Sequence, residues 1–140
     1  MNTQEQKGLL LKDLCGRLPH GVKCKILETN EVKILGSIQY DGENTLFDFW
    51  DDKKKRYEYQ LYLSEFKPYL FPISSMTEEQ KKELEKLYWY CDNYEICNDT
   101  EYVYHNDCSE LIDWINKNHF DYRGLIPMGL ANDATGLNIY

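Results

Sequence analysis

The chain has 140 residues and a net charge of −8, and 42% of its residues are hydrophobic and 14% aromatic. This composition excludes a wholly disordered chain, and the length fits one domain with its own core. No apolar run approaches the ~20 residues that span a bilayer, and the first residues lack the charged-then-apolar layout of a signal peptide. We therefore expect a single cytoplasmic domain over residues 1–140.

Residues 1–21 predict a helix that a turn brings to an end. Thr3 and Gln6 have the spacing of a capping box, in which each side chain satisfies a free backbone N–H group. Pro19-His20-Gly21 follows and breaks the helical pattern. The predicted buried face repeats at helical spacing and consists of Leu11, Leu14, Cys15 and Leu18.

Residues 22–73 predict a β-rich part. Short turn sequences between consecutive strands favour an antiparallel four-stranded meander, and the pattern leaves open whether it curls into a small barrel. Pro68 and Pro72 should hold the following stretch extended, as a joint between the two halves of the chain. The predicted strands cover residues 22–28, 32–40, 45–50 and 57–63.

Residues 74–131 predict a helical half, so that the fold class is α+β. Thr77 and Gln80 form a second capping-box pattern, and Leu84, Leu87, Tyr88 and Cys91 recur at helical spacing after it. A further helix should turn Leu111, Trp114 and Ile115 inward, and the apolar stretch after it should pack on the domain. We expect the tail, residues 132–140, to fray.

The excess negative charge is concentrated in residues 87–116, which contain seven acidic residues and no Lys or Arg. Such a segment repels nucleic acid and favours a protein partner with a basic surface. Aromatic residues lie among the acids, which is typical of interfaces, although rings in the core and solvated acids would give the same pattern. The predicted binding residues are Trp89, Tyr90, Asp92, Tyr94, Glu95, Asp99, Glu101, Tyr102 and Tyr104 in this segment, and Arg123 outside it.

One group of residues offers the ligand types of a structural zinc site. Three thiols and an imidazole could supply a Cys₃His set, but the paired close cysteines of zinc knuckles are missing. Because the five cysteines are an odd number and no C-x-x-C occurs, we favour reduced, mostly buried thiols without metal or other cofactor. The zinc candidates are Cys91, Cys97, His105 and Cys108.

Three further features of the sequence bear on catalysis and on phosphate binding. The chain lacks G-x-S-x-G, phosphate-loop, H-E-x-x-H and dinucleotide motifs, which favours a non-enzymatic protein. His119 follows a predicted helix, where capping of the helix carbonyls explains it. The basic run Lys53–Arg56 lies at a predicted hairpin tip, and a solvated tip explains it better than phosphate binding.

Arg123 is the last basic residue of the chain and has two interpretations. It could bind an anion, which would suit a small-molecule, nucleotide-like ligand held among aromatic rings. We favour an internal ion pair, either with Asp121 or with the acidic segment. Exposed sheet edges and aromatic residues permit a dimer without requiring one, so the oligomeric state stays open.

Three regions of the chain carry a resemblance, namely residues 12–24 (KDLCGRLP and GVKC), 67–79 (KPYLFP and SSMTEE) and 113–126 (DWIN and HFDYRGLI). In this order they resemble short accessory proteins of phages, prophages and mobile elements of gut Bacteroidetes. The resemblance implies a bacterial host cytoplasm and an accessory role, and it brings no catalytic residue. We expect a protein that binds another macromolecule, such as a host factor or a defence protein that it inhibits.

Overall fold

The computed structural model describes residues 3–97 and 110–140, and the side chains of residues 3–87 and 110–140. It confirms an α+β fold in which an N-terminal helix accompanies a mostly antiparallel sheet. The sheet does not close into a barrel, because its strands run in one open order. That order is β4 (Arg56–Leu61), β3 (Thr45–Asp51), β2 (Val32–Tyr40), β1 (Lys23–Ile26), β5 (Phe66–Pro72) and β6 (Phe120–Asp121), and β7 (Asn132–Asp133) pairs with β5 beside that path.

Helix α1, Gln4–Arg17, begins at the predicted capping box. The Gln6 amide donates to Thr3 Oγ1 at 3.1 Å, and the Thr3 amide donates to Gln6 Oε1 at 3.1 Å. The predicted buried face was partly wrong, since Cys15 is exposed and only Leu14 of that set is fully buried. The helix instead buries Leu10, Asp13, Leu14 and Arg17. The two charged residues can be buried because they neutralise each other.

The predicted meander is confirmed in the first four strands, each pairing antiparallel with the next. Their alternating residues place one face of the sheet on α1. The strands are β1 Lys23–Ile26, β2 Val32–Tyr40, β3 Thr45–Asp51 and β4 Arg56–Leu61.

The sheet has three strands beyond the predicted four-stranded meander. The stretch expected to be a joint, Phe66–Pro72, is strand β5 and lies between β1 and β6 in the sheet. Two short strands complete the sheet, β6 Phe120–Asp121 and β7 Asn132–Asp133, and both run parallel to β5. Pro68 precedes the part of β5 that pairs with β6 and β7, and Pro72 ends it. The missing N–H groups therefore lie at the margins of the parallel ladder, where they cost least.

The main core lies between α1 and the sheet. Phe66 is its centre, with its ring 5.0 Å from that of Phe47 and 4.8 Å from that of Phe49. Leu125 and Leu130, from the segment after the last helix, are also buried in this core, as predicted. Because residues from both ends of the chain meet here, the core joins the two halves.

The second half contains two helices, α2 Glu78–Cys97 and α3, described over residues 110–117. The predicted capping box starts α2, since the Gln80 amide donates to Thr77 Oγ1 at 3.1 Å and the Thr77 amide to Gln80 Oε1 at 2.9 Å. A smaller cluster packs the helices against the end of the sheet. Its members are Met76, Ile115 and Phe120, with Phe71, Leu84, Leu111, Trp114 and Tyr122 around them.

The expectation that the tail frays was wrong. Strand β7 belongs to the sheet, Ala134 is buried, and the Ala134 amide donates to the Leu70 carbonyl at 2.8 Å. Tyr140 closes the segment, because its hydroxyl accepts from the Lys23 amide at 2.8 Å and donates to the Tyr69 carbonyl at 2.8 Å. An aromatic ring with two backbone partners holds this segment more firmly than its polar sequence suggests.

Replacing Tyr140 with Phe should loosen the tail without unfolding the domain. The ring stays, but the Lys23 amide and the Tyr69 carbonyl lose their partner, which should cost about 1 kcal/mol. Hydrogen exchange should show faster exchange of the Lys23 amide, and urea unfolding should measure the decrease in the free energy of unfolding. Tyr62→Phe, at an exposed position, is the matched control. Unchanged exchange at Lys23 would contradict the assigned role of the hydroxyl.

Candidate functional site

The predicted binding residues of the acidic segment lie mainly on the later turns of α2 and beyond it. Trp89, Tyr90, Asp92, Tyr94 and Glu95 belong to the α2 backbone, but their side chains fall outside the described residues, as do those of Cys91 and Cys97. The other predicted residues lie outside the described residues altogether, and their roles stay predictions. They are Asp99, Glu101, Tyr102, Tyr104, His105 and Cys108.

At the described end of the acidic segment, the acidic side chains are exposed and the Trp114 ring is partly buried. Glu110 and Asp113 are exposed on α3. Trp114 is partly buried, with its ring stacked on Phe120 at 5.8 Å and its indole N–H donating to Glu83 Oε2 at 2.9 Å. At this end the carboxylates face solvent, whereas the indole attaches α3 to α2.

A buried ion pair connects α1 to the segment after α3. Arg17 Nε donates to Asp13 Oδ2 at 2.6 Å, and Arg17 Nη2 donates to Asp13 Oδ1 at 3.2 Å. Both side chains have zero exposure. Arg17 Nη2 also donates to the Phe120 carbonyl at 2.6 Å, across 103 positions of sequence. The planar guanidinium thus fixes the start of β6 against the last turn of α1.

Arg123 belongs to the same group of charges. Its Nε donates to Asp13 Oδ1 at 3.2 Å, and its Nη2 donates to the Tyr122 hydroxyl at 2.9 Å. Arg123 therefore forms an internal ion pair, but with Asp13 rather than with Asp121. Both carboxylate oxygens of Asp121 instead accept backbone amides, those of Leu125 at 2.8 Å and Ile126 at 2.9 Å. These contacts favour a structural role for Arg123 over an anion-binding one.

Sequence reasoning did not identify the pair of Asp13 and Arg17. The available signal was an acid four positions before an arginine on a helix, which usually indicates a solvent-exposed pair. Burial of the pair depends on residues 120–123, which reach α1 only in the folded chain. The spacing of four residues on a helix therefore indicates a contact between Asp13 and Arg17, but it does not indicate that the pair is buried.

His119 lies at the end of α3 with a φ of 62°, a left-handed conformation. Its ring stacks on Tyr140 with centroids 3.6 Å apart, and its Nδ1 is buried without a partner among the described residues. Burial, together with the positive charges of Arg17, His20 and Lys23, lowers the pKa of His119 from 6.5 to about 4. The imidazole is therefore neutral at pH 7, and it stacks on Tyr140 of the tail.

Stability should fall as the pH drops from about 6.5 to about 4, and His119 should contribute to that fall. In this range the unfolded chain binds a proton at His119 and the folded chain does not, so acid favours unfolding. We expect His119→Asn to reduce the slope of unfolding free energy against pH, because Asn tolerates a positive φ and does not titrate. Urea unfolding from pH 4 to 7 tests this, and Lys117→Asn, at an exposed position of α3, is the control. Equal slopes in the wild type and His119→Asn would contradict it.

The basic run at the tip between β3 and β4 is largely paired within the hairpin. Lys54 Nζ lies 2.7 Å from Glu58 Oε1, Lys55 Nζ lies 2.9 Å from Asp52 Oδ1, and Arg56 Nη2 lies 3.3 Å from Glu58 Oε1. Paired charges at a hairpin tip are typical of a solvated turn. This arrangement favours the structural interpretation of the run over phosphate binding.

Lys33 is the centre of a second charge cluster at the same end of the sheet. Its ammonium contacts Asp51, lies 3.1 Å from Glu31 Oε2, and lies 3.4 Å from Glu58 Oε2. The hydrogen bond to Asp51 raises the pKa of Lys33, and the same bond holds the pKa of Asp51 well below its usual range. Lys33 stays charged, and the three carboxylates are paired with its ammonium group.

The described cysteines differ in environment. Cys24 is buried in the core, and burial raises the pKa of its thiol. Since the thiolate is the reactive form, Cys24 is an inert core residue. Cys15 is exposed on α1. Among the described side chains, those of residues 3–87 and 110–140, no group of three or more His, Cys, Asp or Glu is placed to hold a metal ion.

Within the described part of the chain, no helix has the length and apolar character needed to cross a membrane. Comparison with known proteins found no family model, no curated protein and no solved structure that matches the chain.

Proposed function

We propose that the protein is a non-enzymatic binding protein whose partner presents a basic surface to the acidic segment, residues 87–116. The uneven distribution of charge is the observation that carries this proposal. The segment has seven acidic residues and no Lys or Arg, whereas the rest of the chain has all 16 basic residues and the remaining 17 of the 24 acidic ones. Such an asymmetry steers a basic partner towards one part of the molecule.

The contacts of the helices support this placement. Leu84 packs in the smaller cluster with Leu111 and Ile115, and α2 then continues to Cys97. That continuation adds about 20 Å of helix beyond Leu84 at 1.5 Å per residue. Glu110 and Asp113, at the described end of the segment, are exposed. A partner can therefore approach this end without displacing the sheet.

The described body pairs many of its own charges, which leaves the acidic segment as the main unbalanced region. Internal ion pairs occupy Arg17, Lys33, Lys54, Lys55, Arg56 and Arg123. Because nearby carboxylates neutralise these cations, they repel a basic partner only weakly. The proposed setting, a phage or mobile-element accessory protein that inhibits a host factor, rests on the resemblance of three sequence regions alone.

Neutralising four acids of the segment should abolish capture of the partner. The test variant carries Asp92→Asn, Glu95→Gln, Asp99→Asn and Glu101→Gln, and the readout is affinity purification from bacterial host lysate followed by mass spectrometry. Wild-type protein should retain a basic partner whose binding weakens as salt rises, since ions screen the attraction. The test variant should lose that partner.

A matched control removes the same number of negative charges elsewhere. Glu5, Glu28, Glu43 and Glu79 are exposed and lie outside the segment, and all four become Gln in the control. This control should capture the partner as the wild type does. Equal capture by the test variant, or equal loss by the control, would show that the segment is not the binding surface.

A further inference from the structure

The outer face of the sheet carries a row of side chains that crosses four strands. Register pairs Lys23 with Ile34, Ile34 with Trp50, and Trp50 with Tyr57, so these side chains lie side by side. Lys23 and Trp50 each lie between two buried residues, and Ile34 precedes one, so these side chains point away from the core. Tyr57 is exposed. The row combines one ammonium with an aliphatic and aromatic surface.

The aromatic end of this row is held in place. The ring centroids of Trp50 and Tyr57 are 5.2 Å apart and the rings meet edge to face at 74°. Tyr57 lies over Gly36, where an added Cβ would stand 2.4 Å from Tyr57 Cε1. The absence of a side chain at Gly36 therefore lets Tyr57 support the indole from one side.

A groove of about 520 Å³ lies at the other side of Trp50, a volume within the range of small-molecule sites. Val32, Ile34 and Trp50 form its apolar surface, and Ile139 of the tail borders it. The tail is fixed at that position, because Lys23 Nζ donates to the Ile139 carbonyl at 2.5 Å and lies 5.7 Å from the centre of the Tyr140 ring.

The charges around the groove differ in what they can still bind. The three bordering carboxylates are engaged: Glu31 and Asp51 with Lys33, and Asp52 with Lys55. Asp51 Oδ1 also accepts the Lys53 amide at 2.8 Å. In contrast, the ammonium groups of Lys23 and Lys53 have no carboxylate partner among the described residues, and both border the groove.

We propose that this groove binds a small organic anion with a flat aromatic body. Its ring packs on Ile34 and Trp50, and its anionic group accepts hydrogen bonds from the ammonium groups of Lys23 and Lys53. These two cations have no carboxylate partner among the described residues, and the Lys23 ammonium keeps donors beyond the one that it gives to the Ile139 carbonyl. The apolar surface fits an aromatic ring. The groove is on the sheet, so this proposal is independent of the acidic segment.

Naphthalene-2-sulfonate is the probe, and naphthalene-2-methanol is the neutral comparison. In ¹H–¹⁵N spectra the sulfonate should give saturable shifts at the Trp50 indole and the Lys53 amide, with a dissociation constant of about 1 mM. The neutral compound should bind more weakly. Lys53→Glu should weaken sulfonate binding by about fivefold, and Trp50→Leu should abolish it.

Lys12→Glu is the matched control, since Lys12 is exposed on α1 and the charge change is the same. It should bind the sulfonate as the wild type does, and circular dichroism should show that every variant is folded. The proposal is overturned if the shifts do not saturate or if they map elsewhere. It is also overturned if the neutral compound binds equally well, or if Lys53→Glu binds like Lys12→Glu.

Discussion

Asp13→Ala should destabilise the protein by about 3–5 kcal/mol, the largest loss that we expect from removing a single charged group. The substitution leaves the guanidinium of Arg17 buried at zero exposure without its carboxylate. Arg123 also loses its partner, but its side chain is 23% exposed and can turn towards water. Urea unfolding at pH 7 measures the loss.

Two companion variants separate burial of the charge from loss of packing. Arg123→Ala should cost only about 1 kcal/mol, because Asp13 keeps its contact with Arg17 and the arginine is partly exposed. The double variant Asp13→Leu with Arg17→Met should be more stable than Asp13→Ala, since apolar residues of similar size remove both charges. If Arg123→Ala were as harmful as Asp13→Ala, Arg17 would not be the critical partner.

Phe66→Ala should cost about 3–5 kcal/mol through loss of a buried ring and the cavity that remains. Phe66 is 1% exposed and contacts the rings of Phe47 and Phe49, so no neighbouring side chain can easily fill the space. It also pairs with Ile26 across the β5–β1 ladder. Thermal and urea unfolding of the purified variant measure the effect.

The comparison variants for this prediction have graded effects. Phe66→Leu should lose less than Phe66→Ala, because much of the buried apolar volume is retained. Leu137→Ala, at a position that is 53% exposed, should change stability by no more than about 0.5 kcal/mol. A loss below about 1 kcal/mol for Phe66→Ala would mean that the three-ring centre of the core is wrongly placed.

Much of the local structure could be predicted from the sequence because its signals are local. The capping boxes at Thr3 and Thr77 both form, and the meander follows the turn sequences between its strands. Strand β5 was underestimated because Pro68 and Pro72 usually exclude a central strand. Its place in the sheet depends on parallel partners from residues 120–133, which no local pattern of the chain indicates.

The candidate sites were less accessible to sequence reasoning. The charge asymmetry of residues 87–116 is a property of the sequence itself, so it could be found there. The groove beside Trp50 could not be predicted from the sequence, because it depends on the register of β2 and β3 and on the contact between the tail and Lys23. Similarly, an ion pair of Arg123 could be predicted, but its partner could not, because Asp13 lies 110 positions away in the sequence.

The position of β5 between β1 and the two short strands has a consequence for the folding of the chain during synthesis. A ribosome releases the first five strands well before the two short strands that flank β5 on its other side, so that the nascent meander has an unprotected edge for some time. Contacts that span most of the sequence also close late, which slows folding. Newly synthesised molecules should therefore depend on chaperones until residue 133 has emerged, and expression of the first 75 residues alone should give aggregates.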